Sequence, residues 1–163
     1  MNSLYLREPV FEDKNEIINM AFEFYSSSDE YPFEGISDLK KVIEKSFETF
    51  YFDLEKNKHI NDIYPDYVNQ TTYVLCDQNN HIYGMINLRH NLNDNLTRVG
   101  GHVGYGIRPS ERGKGYGFLQ LKLLLNKLEE MKIENALLTC RENNIASKKT
   151  IEKFCGNIIF STS

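Results

Sequence analysis

Arg112-Gly-Lys-Gly-Tyr-Gly117 sets three glycines and two cations within six residues, and an apolar helical pattern follows at once, with Phe118, Leu121, Leu124, Leu125 and Leu128 recurring to about Lys132. A glycine-rich turn at a helix start leaves several N–H groups unpaired at the positive end of the helix dipole. That arrangement suits an anion, most naturally a phosphate. So much glycine before a helix is poor helix design without a ligand. Two phosphate loops fail on spacing. A Walker loop needs Gly where the chain has Arg108, and Ser or Thr where it has Gly115. A dinucleotide fingerprint opening at Gly113 needs a small residue where the chain has Phe118.

The residues before this turn alternate. Val99, Val103, Tyr105 and Ile107 fall on one face of a strand, and Gly100, His102, Gly104 and Gly106 on the other, up to Pro109. Glycines weaken a strand and mark a place where a ligand or another backbone approaches closely. His102 lies on that glycine face, and its ordinary pKa suits proton transfer near neutrality. His90 ends the preceding strand beside Arg89, a cation able to orient a carboxylate. Cys140 ends an apolar run, where a cysteine is most often a small hydrophobe.

These residues need elements to hold them. Leu4–Arg7 reads as a strand, and Ile17, Met20, Ala21 and Phe24 mark a helix over roughly 11–26. A polar loop follows, and Ser37 caps a second helix carrying Leu39, Val42, Ile43, Phe47 and Phe50. Residues 55–70 are irregular and polar. Thr71–Asp77 and Ile82–Leu88 form a hairpin around the turn Gln78–His81, and Asn91–Asn95 is another turn. After the glycine-rich strand and its helix come an apolar strand, Ala136–Cys140, and a helix capped by Asn144 with Ile151 and Phe154 inward and Gly156 as terminator. Asn157–Phe160 begins one more strand. The order predicts an α/β protein, residues 1–163 as a single domain, with a mixed and mostly antiparallel sheet and helices on both faces.

Composition narrows the function. The chain has 163 residues, 40% apolar and 26% charged, with net charge −4, so no basic field points to nucleic acid or an anionic membrane. Three cysteines without CxxC spacing argue against a disulfide framework or a zinc site, and no metal is implied. Neither a signal peptide nor a spanning segment is evident, and the expected location is cytoplasmic.

Arg112-x-x-Gly115-x-Gly117, between strand and helix, resembles the pyrophosphate-binding motif of the GNAT N-acetyltransferases. Ile86-Asn-Leu-Arg-His90, the stretch Gly100–Arg112 and Thr139–Ser147 resemble a bacterial branch of predicted GNAT acetyltransferases of unknown acceptor. The likeness covers roughly residues 65–160 well and the first 60 loosely. It implies acetyl-CoA as co-substrate and direct transfer to an amine of a small molecule or peptide. Backbone amides from Arg112 through Gly113, Lys114, Gly115 and Tyr116 to Gly117 would hold the pyrophosphate, with charge from Arg112 and Lys114. Tyr105, Ile107 and Asn144 would hold the pantetheine arm. A primary amine of pKa about 10 must lose a proton before attack, and the departing thiolate benefits from an acid. His102 is the first candidate base, where many relatives carry Glu, with His90 beside it. Tyr31, Tyr64 and Tyr67 are candidates to line an acceptor pocket. Many GNAT enzymes carry an acidic Tyr seven residues after the helix Asn; here that position is Ile151. The fold also ordinarily continues with two strands after the last helix, and at most one fits here. A shortened sheet, an edge completed by a second subunit, and a catalytically silent coenzyme-A sensor are the resulting alternatives.

Overall fold

The computed structural model describes residues 3–154. In chain order it comprises β1 (Tyr5–Arg7), α1 (Lys14–Tyr25), α2 (Lys40–Glu44), α3 (Phe47–Asn57), α4 (Ile60–Ile63), β2 (Gln70–Cys76), β3 (Ile82–Arg89), α5 (Asp94–Arg98), β4 (Val103–Ile107), α6 (Tyr116–Glu130) and α7 (Ile145–Phe154). The four strands form one sheet in the order β1-β2-β3-β4, every pair antiparallel. At the β2–β3 turn the Asp77 carboxylate accepts the Asn79 and His81 N–H groups, and Asn80 takes the left-handed conformation such a turn requires, at φ 62°.

Strand alternation sorts the core onto two faces. Val74, Cys76, Ile82 and Met85 pack with Ile17, Met20 and Phe24 of α1 and Phe47 and Phe50 of α3. Tyr73, Ile86, Leu88 and Val103 pack on the other side with Leu121, Leu124 and Leu128 of α6 and Ile151 of α7. Each such side chain, fully buried, contributes about 1.5–3 kcal/mol. The helices thus flank both faces of the sheet, as the pattern predicts.

Several elements depart from the sequence expectation. The second helix is two: Lys45 leaves helical geometry at φ −129°, ψ −94°, and Ser46, not Ser37, caps the next by accepting the Thr49 N–H. A turn of helix, α4, interrupts the polar stretch, and Asn93 nucleates α5 by accepting the Leu96 N–H. The glycine-rich strand starts only at Val103, because Gly100 and Gly101 have φ of 107° and 60° and bend the chain. Ala136–Cys140 is consequently no strand; Leu138 alone bridges to Gly101 and Val103. Gly156, the Asn157–Phe160 strand and the edge on which a homodimer would pair lie outside the described residues. No helix among those described is long and apolar enough to cross a membrane.

Candidate active site

β4 is the axis of the site. A Cβ on Gly104 would stand 2.2 Å from the carbonyl oxygen of Gly35, so the loop before α2 lies directly on this strand. The close approach marked by the strand glycines is therefore, at Gly104, that of another backbone. One edge of β4 pairs with β3; the other is bridged by Leu138 at Val103 and has no strand partner among the described residues from Gly104 to Ile107. The two segments part there, and a cavity of about 660 Å³ opens. Tyr105, Gly106 and Ile107 form one wall, Arg112, Gly113, Gly115 and the start of α6 the next, and Asn144 with the face of α7 a third. Asp29, Tyr31 and Glu34, from the loop after α1, line it as well.

The turn into α6 is built as an open cradle. Gly115 is the N-cap residue at φ 83°, Gly113 has φ 77°, and α6 has no side-chain cap. A Cβ at either glycine would meet nothing within 4 Å, so the requirement for glycine is conformational and the surface above the turn is free. A clamp centred on the buried Arg108 holds the chain just before this turn. Arg108 donates to Glu23 at 2.5 Å, to Glu16 at 2.9 Å and to the Ile82 carbonyl at 3.1 Å, while Glu23 also accepts the Ser110 N–H at 3.0 Å. Burial alone would raise the Glu23 carboxyl, but its bonds from Ser110 and Arg108 bring it below the usual range. His81 bridges Glu16 and Glu111, each at 3.1 Å.

Of the residues singled out by sequence, Tyr105, Ile107, Arg112, Gly113, Gly115, Tyr116, Gly117 and Asn144 line this one cavity. Asn144 also caps α7 by accepting the Ser147 N–H at 3.2 Å. Arg112 donates to Asp29 at 2.8 Å and to the Ile107 carbonyl at 3.2 Å, and its hydrogen bond holds the Asp29 carboxyl below its usual value. Lys114 is outside the lining, paired with Glu111 at 3.0 Å.

The histidines line neither this cavity nor the smaller one beside it. His102 is 8% exposed, and its Nδ1 accepts the Leu137 N–H at 3.0 Å, which sets the neutral ring's proton on Nε2. Burial, then the charge of Arg89, lowers its pKa. His90 Nε2 bonds the Thr71 hydroxyl at 2.8 Å, and burial lowers its pKa too. Tyr31 lines the larger cavity beneath the Arg141 guanidinium, 3.8 Å from its ring centre, whereas Tyr64 and Tyr67 are exposed and pack on each other.

The smaller cavity, about 230 Å³, continues from the larger toward the Val103 end of β4; Glu34, Tyr105, Arg141, Asn144 and Ser147 line both. At their junction Ser147 donates to the Tyr105 hydroxyl at 2.9 Å. Burial raises the pKa of Tyr105 and of Cys140, which also lines the smaller cavity. Ile151 is 3% exposed and packs into the α6–α7 core. Sequence reasoning missed Ser147, although it sits one helical turn before Ile151 and the same periodicity leads to it. It also missed Lys149 and Lys153, which line the larger cavity, and the ion pair of Arg141 with Glu34, whose partners stand far apart in sequence. No cluster of His, Cys, Asp and Glu among the described residues could hold a metal.

The profile of the acetyltransferase (GNAT) domain matches residues 4–155. This chain belongs to the GNAT acetyltransferase family. Solved structures with a similar fold include RimL, a ribosomal alpha-N-protein acetyltransferase in complex with coenzyme A as a cysteine disulfide, at 17% identity and TM-score 0.63, covering 94% of this chain and 80% of that one. The microcin C7 self-immunity acetyltransferase MccE, with acetyl-CoA and AMP, matches at 13% identity and TM-score 0.56, covering 94% and 78%. The spermidine N-acetyltransferase of Vibrio cholerae, with coenzyme A and spermine, matches at 20% identity and TM-score 0.51, covering 93% and 79%. At these identities the likeness is one of fold. No curated protein matches the sequence significantly. Membership of this family supports acetyl transfer as the chain's chemistry.

Proposed function

We propose that the chain is an N-acetyltransferase that moves the acetyl group of acetyl-CoA directly to an amine. The observation that carries this reading is the continuous opening from the uncapped, glycine-built start of α6 along the free edge of β4 to a second, smaller cavity. The N–H groups of residues 113–117 would hold the pyrophosphate, with Arg112 exchanging Asp29 for it and Lys114 adding charge from outside the lining. The free edge at Tyr105 and Ile107, with the Asn144 amide, would hold the pantetheine arm, leaving the thioester near the junction of the cavities.

In the overall reaction a neutral amine forms a C–N bond to the acetyl carbonyl, the C–S bond breaks, and the proton released by nitrogen leaves sulfur as a thiol. The Ser147–Tyr105 hydroxyl pair, at the junction of the cavities, would then lie near the departing sulfur and supply that acid role in place of the tyrosine absent at Ile151. With its Nδ1 engaged by Leu137, His102 acts as a positioning residue, holding the 137–138 segment against β4 and so setting the width of the opening. His90 positions the end of β3 through Thr71. Proton removal from the amine then falls to water in the smaller cavity.

The burial of Ile151 and the placement of both histidines outside the cavities also favour a second reading, a coenzyme-A-binding sensor without turnover. Calorimetric titration with acetyl-CoA, run beside thioester consumption on an amine panel, separates the two. Binding with turnover is expected; binding without turnover on a broad panel selects the sensor, and no binding contradicts both.

A further inference from the structure

We infer that the acceptor carries an anionic group, a carboxylate or a phosphate, beside its reacting amine, and that Arg89 in the smaller cavity selects for it. The inference rests on the acetyl-transfer reading above and names its substrate class.

Three charged residues line the smaller cavity: Glu34, Arg89 and Arg141. Glu34 and Arg141 pair with each other, and Arg141 is stacked on Tyr31. That pair is close to self-neutralising. Arg89 differs. Its Nη1 donates to the carbonyls of Gly100 and Gly101 at 3.1 and 3.0 Å, and no carboxylate of the described residues pairs with it. Asp38 acts on it only at a distance. A guanidinium offers five donors in a planar fork, so the edge beyond Nη1 still points no donor at a described acceptor. Burial disfavours its charge, and an anion delivered by the acceptor offsets that cost with charge-assisted hydrogen bonds.

The field in this cavity also bears on the charge of the acceptor. With Glu34 engaged by Arg141, the unbalanced charge is positive, so a polycationic acceptor is repelled. The volume, about 230 Å³, falls below the roughly 300–1,000 Å³ usual for drug-sized ligands, so it takes a small acceptor or the end of a larger one.

The test uses amines matched in all but the acid: an amino acid against its carboxamide and its decarboxylated amine, phosphoethanolamine against ethanolamine, and spermidine as the polycation. Thioester consumption by the full chain gives kcat/KM, and calorimetry gives acetyl-CoA affinity. The anionic member of at least one pair is expected to exceed its neutral partner about tenfold, with spermidine weakest. The pair that responds tells carboxylate from phosphate. Arg89→Met should abolish the preference with acetyl-CoA affinity unchanged within about twofold. Arg89→Lys, which retains the charge and keeps the test valid if the Met variant folds poorly, should keep the preference with a higher acceptor KM. Turnover that is equal for matched pairs, that favours spermidine, or whose anion preference survives Arg89→Met overturns this inference and leaves acetyl transfer standing. Failure of the wild type to bind acetyl-CoA overturns both.

Discussion

Asp29→Asn should tighten acetyl-CoA binding, because Arg112 must leave Asp29 to meet a phosphate. The pair is 2.8 Å long with both side chains about 40% exposed, at 41% and 38%. An ion pair so exposed is worth about 0–1 kcal/mol. Removing it spares the ligand that exchange and withdraws a negative charge from the lining of the cavity that would take the pyrophosphate. Together these give about 1 kcal/mol, roughly a fivefold lower Kd. Because the groups are exposed, the gain should shrink between about 0.05 and 0.5 M salt as screening increases. Calorimetry on wild type, Asp29→Asn, Arg112→Gln and the double variant closes a double-mutant cycle. The gain should be present with Arg112 and largely absent without it. A weaker Kd in Asp29→Asn, or the same gain in the Arg112→Gln background, would refute the exchange and recast Asp29 as a strut that holds the loop over the cavity.

Three further outcomes follow from the same geometry. Gly115→Ala places a Cβ at φ 83° in open space, so it strains the backbone without a clash; thermal unfolding should show a loss of about 1 kcal/mol, roughly 2–4 °C in Tm, alongside weaker acetyl-CoA binding. Ser147→Ala should lower kcat by about ten- to a hundredfold with acetyl-CoA Kd within about twofold, the greater loss occurring with the more basic leaving thiolate; a change in Kd alone would make Ser147 a binding group. Stability should fall with acidity through the histidines. His90 and His102 have folded pKa values below the unfolded value of about 6.5, so the unfolded chain binds more protons, and stability is lost as pH drops below roughly 6.5 toward the folded values. Urea unfolding from pH 7 to 5 should show that slope, flattened in His102→Gln; a slope unchanged by the substitution would remove His102 from the account.

Where local chemistry decides a feature, the sequence made it legible. Alternation in β2 and β3 sorts the two cores, because a pleated strand leaves each side chain one face. The cradle was legible because left-handed backbone at 113 and 115 needs glycine. Features set by distant residues were not. The apolar run at 136–140 has a strand's composition, but the bend at Gly100 and Gly101 leaves it only the bridges of Leu138. The break at Lys45 hid because Phe47 and Phe50 continue the apolar spacing of the helix before it. Period two set His102 on the glycine face of a strand, yet the strand begins one residue later and the ring turns to the Leu137 amide. The carboxylate partners of Arg112, Arg141 and Arg108 stand more than eighty residues away in sequence.

The most direct measurement is amide NMR of the isotopically labelled chain during titration with acetyl-CoA. The account predicts the largest saturable shifts at the N–H groups of Gly113–Gly117, with a second set along Tyr105–Ile107 and at Asn144. Saturable shifts elsewhere with this turn unmoved, or no saturable shifts at millimolar acetyl-CoA, would contradict it.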